Sequence, residues 1–386
     1  MACFAEIRAL PGPKKLGYWA AHNVPALPSG VGLTNEARFY YDSQSLPQGA
    51  PTYSRGSATG RLVAQIYGSG SNGDYYAYDV LGRPTLKIQQ TGSMNYQLSA
   101  GYNLSGAIAT LTYPSGHTLT NAYDQAGRLL NLTGNLGDGA SRNYSAGILY
   151  SPLGALVKEQ FGTSTPIYNK LFYNSRGQLA EIRESTSYTG PADTNWNRGA
   201  IINHYSDQCS GVCSGSSMPD NNGNLHKQSV YIPNDDQISG YTMRWQQYDY
   251  DSLNRLNWAR EVLENGVEQW KQQFSYDRWG NRLINTANTY GTGINNTSFE
   301  KQDASNQLYA PGDLNPALPE SARQIRYDAG GNQIKDSYTG AGSRTYDGEN
   351  KLTSAWGGTN QAQLYSYDTT GQRIKRVVDG VETWQV

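Results

Sequence analysis

The chain has 386 residues and a formal net charge of −1, with 37% hydrophobic and only 16% charged residues. Nothing in that balance suggests a phosphate-binding or membrane-surface role, and no run nears the ~18 apolar residues of a membrane-spanning helix. Tyrosine is the strongest bias, 30 against 6 Phe, and it suits half-buried strands because the ring packs while the hydroxyl keeps a polar partner.

Residues 1–40 form a non-repeat segment. Their opening, "MACFAEIRALPGPKKLGYWAAHN", has no basic stretch followed by a long apolar run and so makes a poor secretion signal. From 41 to 386 a repeat takes over, loosely at first ("YYDSQSLPQG", "YSRGSATGRLV") and clearly from Tyr78. The phrase is Tyr-(Asp/Asn)-x-x-(Gly/Asn)-x. Its copies in the first half are Tyr78-Asp79 with Gly82, Tyr102-Asn103 with Gly106, Tyr123-Asp124 with Gly127, and Tyr173-Asn174 with Gly177. The second half has Tyr250-Asp251 with Asn254, Tyr276-Asp277 with Gly280, and Tyr327-Asp328 with Gly331. Tyr346-Asp347 with Asn350 and Tyr367-Asp368 with Gly371 complete it. Weaker copies start at Tyr150 ("YSPLGAL"), Pro219 ("PDNNGNL") and Gln302 ("QDASNQL"). Most intervals run from 19 residues (327 to 346) to 27 (123 to 150), with a wide gap from 173 to 219 and a 31-residue step from 219 to 250.

Each position has a physical reason. Asp or Asn after the tyrosine bonds downstream backbone amides and starts a type I turn. Three residues later the chain enters the left-handed region, where Gly carries no steric penalty and Asn the next smallest. A type I turn followed by a left-handed residue is a common bulged hairpin connection. Two residues before the tyrosine stand Tyr76, Ile148, Leu171, Tyr248, Phe274, Ile325 and Tyr365, on the tyrosine's own face of a strand. Downstream come β-rich runs such as "LKIQQ" and "IKRVV", and mid-repeat turns such as "ENG" at 264–266 and "DG" at 379–380.

The expected fold is therefore all-β: a long antiparallel meander with two strands per repeat. Twelve repeats give roughly 24 strands, and at ~4.8 Å each a flat sheet would be about 115 Å wide. Open sheets rarely exceed ~10 strands without curling. A curved or spiralling strip, a partial shell, is the expected shape.

The phrase at this spacing resembles the YD repeats of the Rhs (rearrangement hot-spot) family, which includes bacterial polymorphic toxins, insecticidal toxin-complex cocoon proteins and the metazoan teneurins. The resemblance covers about residues 70–386 well and 41–69 loosely. It implies a strip of β-hairpins spiralling into a hollow cocoon around a C-terminal toxic payload, or supporting adhesion in teneurins. It also implies export or cell-surface display, and the rest of a larger shell or a payload as partner. The chain lacks the family's C-terminal motifs rich in Pro, Asp and Gly. It stops at "VVDGVETWQV" one strand after a hairpin turn, which reads as a partial chain.

Catalytic chemistry has little material. The four histidines are His22, His117, His204 and His226, and His117 beside "PSG" reads as an exposed strand residue. No nucleophile elbow, metalloprotease helix or phosphate loop occurs, so the expected protein is a non-enzyme without cofactor or metal. His204, Cys209, Cys213 and His226 form a faint zinc-like set in a Gly/Ser-rich stretch; Cys209 and Cys213 in "CSGVC" could equally pair in an oxidising compartment or stay free. The stretch from about 184 to 247 is the least repetitive, and reads as a loop-rich insertion that either binds a partner on the rim or is tolerated drift. The aromatics, with Trp196, Trp245, Trp258, Trp270, Trp279 and Trp356 among them, either pack inward, the default for strand aromatics, or stack sugars, which leaves a stand-alone adhesin that binds glycans or a protein partner as the alternative function. A gene remnant is the third reading.

Overall fold

The computed structural model describes residues 37–67, 70–206, 220–234, 240–357, 362–368 and 370–385. Cys3, Cys209, Cys213, Pro219 and nearly all of the non-repeat segment lie outside them. The described residues form 28 strands and two short 3-10 helices, Thr286–Asn288 and Glu320–Ala322, with no α-helix. A 19-stranded sheet runs from Ala37–Tyr41 to Tyr290–Gly291. Within it each strand pairs antiparallel with the next in the chain. The order holds to its far end, where Arg282–Ile284 and Tyr290–Gly291 both pair with Glu268–Tyr276. The sheet is not closed into a barrel. A hairpin, Glu300–Gln302 with Gln307–Tyr309, separates it from a seven-stranded meander, Ile325–Tyr327 to Val381–Trp384.

The stretch 184–247 supplies three strands to the large sheet, Gly199–His204, Lys227–Pro233 and Tyr241–Tyr250, and a connection, residues 186–198, that lies over its face. The apolar core is thin, as the composition demands. Ala64, Ile66, Tyr75 and Ile88 are buried beneath Tyr40, Leu46, Ala50 and Tyr53 at the start of the strip. A second cluster, Tyr309, Ala310 and Ile325, packs with Phe299, Leu314 and Tyr327 where the large sheet gives way to the small one. There the buried Asp313 accepts the amides of Gln324 and Ile325 at 2.8 and 2.9 Å, so a carboxylate pins the connection that lacks strand pairing.

The opposite face of the first strands is buried too, but polar. Gln65 donates to Asp74 at 3.1 Å and to the Tyr76 hydroxyl at 2.9 Å, and Lys87 pairs with Asp74 at 3.2 Å. Burial raises the Asp74 carboxyl above its ordinary range, Lys87 opposes that shift, and the charge of Asp368 adds to it. Asp368 belongs to the last repeat. Gln89 in turn donates to the backbone carbonyl of Gln385 at 2.7 Å, 296 residues away. The strip therefore coils until its end meets its beginning, and a polar seam joins the two.

At Gly127 φ is +77°, and a Cβ placed there would meet no atom within 4 Å. Strain at this position is therefore purely backbone. Asn254, Asn306 and Asn350 occupy the equivalent turns at φ 60°, 58° and 62°. We expect Gly127→Val to cost about 1–2 kcal/mol and Gly127→Asn much less, read from urea denaturation midpoints. Equal midpoints for wild type and the valine variant would refute the strain argument.

Candidate functional site

The repeat turn is built by its acidic residue. Asp124 Oδ1 accepts the amides of Ala126 and Arg128, both at 2.9 Å, while Oδ2 accepts Arg128 Nε at 2.9 Å. Main-chain bonds close the loop, Gly127 to Asp124 at 3.0 Å and Asp124 to Arg128 at 2.8 Å. Asp79 with Arg83 and Asp251 with Arg255 repeat this geometry. In the Asn turns the side-chain oxygen does the same work, Ala107 donating to Asn103 at 2.9 Å and Gln178 to Asn174 at 3.0 Å.

The tyrosine joins one repeat to the one before. Tyr102 donates its hydroxyl to the carbonyl of Pro84 at 2.7 Å, and Pro84 lies six residues after Tyr78. The same offset recurs from Tyr123 to Ile108, Tyr150 to Leu129 and Tyr173 to Leu156, at 2.6, 2.8 and 2.9 Å. Counted from Pro219 and from Tyr250, it continues from Tyr250 to Leu225 and Tyr276 to Leu256 at 2.9 and 2.8 Å. The last repeats follow, counted from Gln302, Tyr327 and Tyr346, with Tyr327 to Leu308, Tyr346 to Gln333 and Tyr367 to Leu352 at 2.6, 3.1 and 2.8 Å. Tyr78 opens the series on Leu62 at 2.7 Å. Tyr205, in no recognised copy of the phrase, donates to Leu179 at 3.0 Å, six residues after Tyr173. Its place in the wide gap from 173 to 219 is the signal that identifies it as a repeat tyrosine without its turn sequence.

Arginine ties the two devices together. Having bonded its own Asp, Arg83 lies 4.5 Å from the ring centre of Tyr102 in the next repeat; Arg128 over Tyr150 and Arg255 over Tyr276 stand at 4.7 and 4.5 Å. Turn amides and the arginine hold Asp124 and Asp251 below the usual carboxylate range, and at Asp79 they do so against the opposing pull of burial. At Asp277 the Lys301 ammonium is the main cause of a like shift, and at Asp328 the Asn332 amide. Burial raises the hydroxyls of Tyr102, Tyr150, Tyr250 and Tyr367, so they stay protonated donors.

A second constellation lies under the connection 186–198. Lys158, Lys170 and Arg183 are direct cross-strand partners and form one row. Lys170 and Asp193 are both buried and pair at 3.2 Å; Arg183 pairs with Glu181 at 2.6 Å. Lys158 bonds the carbonyl of Gly147 at 2.8 Å and sits 5.4 and 5.3 Å from the rings of Tyr168 and Tyr188. Burial opposes ionisation of Asp193, but the amides of Thr189 and Asn195 and the Lys170 ammonium outweigh it and lower its pKa. Trp196 anchors the connection against Tyr231 and Tyr241, at 5.3 and 5.4 Å between ring centres.

The remaining sequence candidates are scattered. His117, expected on an exposed strand face, is half-buried between Tyr113 and Tyr144, at 5.5 and 5.6 Å. The amide of His226 donates to the carbonyl of His204, whose buried ring contacts Ser229 Oγ at 3.2 Å. Cys209 and Cys213 of the zinc-like set lie outside the described residues, among which no group of three or more His, Cys, Asp or Glu could hold a metal. None of the described helices is long and apolar enough to cross a membrane.

Two outcomes follow from the ladder. Tyr276→Phe keeps the ring under Arg255 and removes only the bond to Leu256, so it should cost about 1 kcal/mol in denaturation; no loss would make the hydroxyl incidental. The lowered Asp pKa values stabilise the fold above the unfolded value of ~4 and that share is lost as pH falls through the folded values; the raised Tyr values stabilise it below ~10 and that share is lost above the folded values. Melting temperature should therefore drop at both extremes. Replacing Asp124, Asp251 and Asp328 together with Asn should make the acid limb shallower and leave the alkaline limb unchanged.

No family model matches the chain, and no curated protein matches it by sequence. Solved structures do. The crystal structure of TcdB2-TccC3-TEV superposes with a TM-score of 0.60 at 16% identity, over 83% of this chain and 16% of that one. TcdB2-TccC3 without its hypervariable C-terminal region gives 0.61 at 18% identity, with the same coverage of each chain. A Photorhabdus luminescens Tc holotoxin pore carrying a TccC3 variant gives 0.61 at 17%, again over 83% and 16%. This chain thus spans about a sixth of the length of those it matches. At such identity the likeness is one of fold: the open, coiled antiparallel strip is an Rhs-like shell fold shared with part of these toxin-complex proteins.

Proposed function

We propose that the chain is a section of an Rhs-type shell that encloses a polypeptide payload, and that it performs no catalysis itself. The observation that carries this reading is the unbroken meander whose repeats are bonded tyrosine to carbonyl while its two ends meet at a polar seam. Such a wall is stiff without a thick core. Its backbone groups are satisfied along the sheet, and its thickness is one strand plus side chains. That is the construction a container needs, with little of its mass in the interior. The fold shared with toxin-complex structures supports the same reading, and points to the rest of a larger shell or a C-terminal toxin as partner, with export or surface display as its setting.

Trp279 and Trp356, 60% and 50% exposed, favour the second reading, an adhesin that stacks sugars. Trp196 and Trp258 serve it poorly, since the first packs on two tyrosines and the second lies beneath Arg260 and Lys271.

The test is limited proteolysis of the protein recovered from its own cells, with intact mass before and after. A mass well above 42.4 kDa, with a resistant segment outside this sequence that becomes digestible once the shell is unfolded, is expected. A mass near 42.4 kDa, or no protected segment, would overturn enclosure. Saturable glycan binding lost on replacing Trp279 and Trp356 would favour the adhesin.

A further inference from the structure

We propose that the cavity beneath the 186–198 connection is a binding site for a small organic carboxylate with an apolar body. The cavity measures about 450 Å³ and is lined by Lys158, Lys170, Asp193, Tyr188, Phe172 and Pro191, among others. That is the range of small-molecule sites, which are mostly apolar with a few fixed polar groups.

Charge makes the case. The row beneath the connection holds three cations, Lys158, Lys170 and Arg183, against two carboxylates, Asp193 on Lys170 and Glu181 on Arg183. Lys158 has no acidic partner among the described residues. It is only 7% exposed, and an ammonium carries three donors, whereas its one hydrogen bond among the described residues runs to the Gly147 carbonyl. The neighbouring Glu159 is turned to Ser145 and Asn169 instead. Tyr168 and Tyr188 stack on each other at 5.8 Å and flank the ammonium, which fixes its position without neutralising it. A buried cation costs free energy unless paired. A carboxylate in the cavity would supply the missing pair, and the walls would take an aromatic or branched aliphatic body. Lys170 cannot serve in its place, being bonded to Asp193 and to the carbonyl of Asn195.

The sign of the pH dependence is fixed by the same geometry. Burial lowers the Lys158 pKa, so affinity should fall as pH rises and the empty site loses its proton. This inference does not depend on the shell reading.

The experiment titrates the purified chain with phenylacetate, indole-3-acetate and hexanoate, and with phenylacetamide as the uncharged control, following ligand NMR and calorimetry. At least one carboxylate should bind saturably below ~10 mM, the amide at least about tenfold more weakly, and affinity should fall between pH 7 and pH 10. Lys158→Met should lower carboxylate affinity at least about tenfold, and Lys158→Arg, which keeps the charge, should retain more of it. Should the Met variant fail to fold, Tyr188→Ala in the connection and the wild-type comparison of acid against amide still decide the matter. No saturable binding by any of the three acids, or equal binding of acid and amide, would overturn the proposal.

Discussion

A hydroxyl-to-carbonyl bond between consecutive repeats, such as Tyr276 to Leu256 at 2.8 Å, is the constraint on which this molecule's shape depends. Strand pairing alone leaves a sheet free to slide, twist and flatten, because backbone ladders look the same at every register. A tyrosine at the end of one strand, reaching the carbonyl six residues past the start of the preceding repeat phrase, sets the spacing of each turn from the last. Phenylalanine would fill the same volume and set nothing. The excess of Tyr over Phe in the sequence is therefore a requirement of the architecture.

The charged residues extend that constraint along the rim. In three turns, at Asp79, Asp124 and Asp251, the Asp is paired with the arginine that closes it, and the guanidinium then faces the ring of the next tyrosine. A single exposed ion pair contributes little, but here the pair also orients a cation over an aromatic face and lies in register with its neighbours. Where Asn or Gln replaces the charged partners, as at Asn174 with Gln178, the turn persists with neutral hydrogen bonds. Turn shape and electrostatic linkage are separable in this chain.

Against this regular background the 186–198 connection stands apart. It buries Lys158 and Lys170, two cations of one row, and it is anchored by Trp196 rather than by a repeat tyrosine. A scaffold of uniform repeats has no structural need for an uncompensated buried lysine. The same scaffold positions that lysine rigidly, because its strand is paired on both sides.

The sequence by itself determined the repeat turns and the antiparallel order of the strands between them, though not the strands of the stretch 184–247, where the phrase is lost. The Tyr-Asp phrase marks each turn, Gly or Asn marks the left-handed residue, and the spacing dictates an antiparallel meander too wide to stay flat. These are local facts, legible because turn chemistry and strand alternation act over a few residues. Tertiary structure decided everything that joins residues far apart. The partner of each tyrosine hydroxyl, the membership of Tyr205 in the ladder, and the meeting of Gln89 with Gln385 depend on how much the strip curls per repeat, which no local pattern encodes. The cation row was illegible for the same reason. Lys158, Lys170 and Arg183 are ordinary polar residues in three separate strands, and only register and the folded-over connection bring them into one row and take the two lysines out of water.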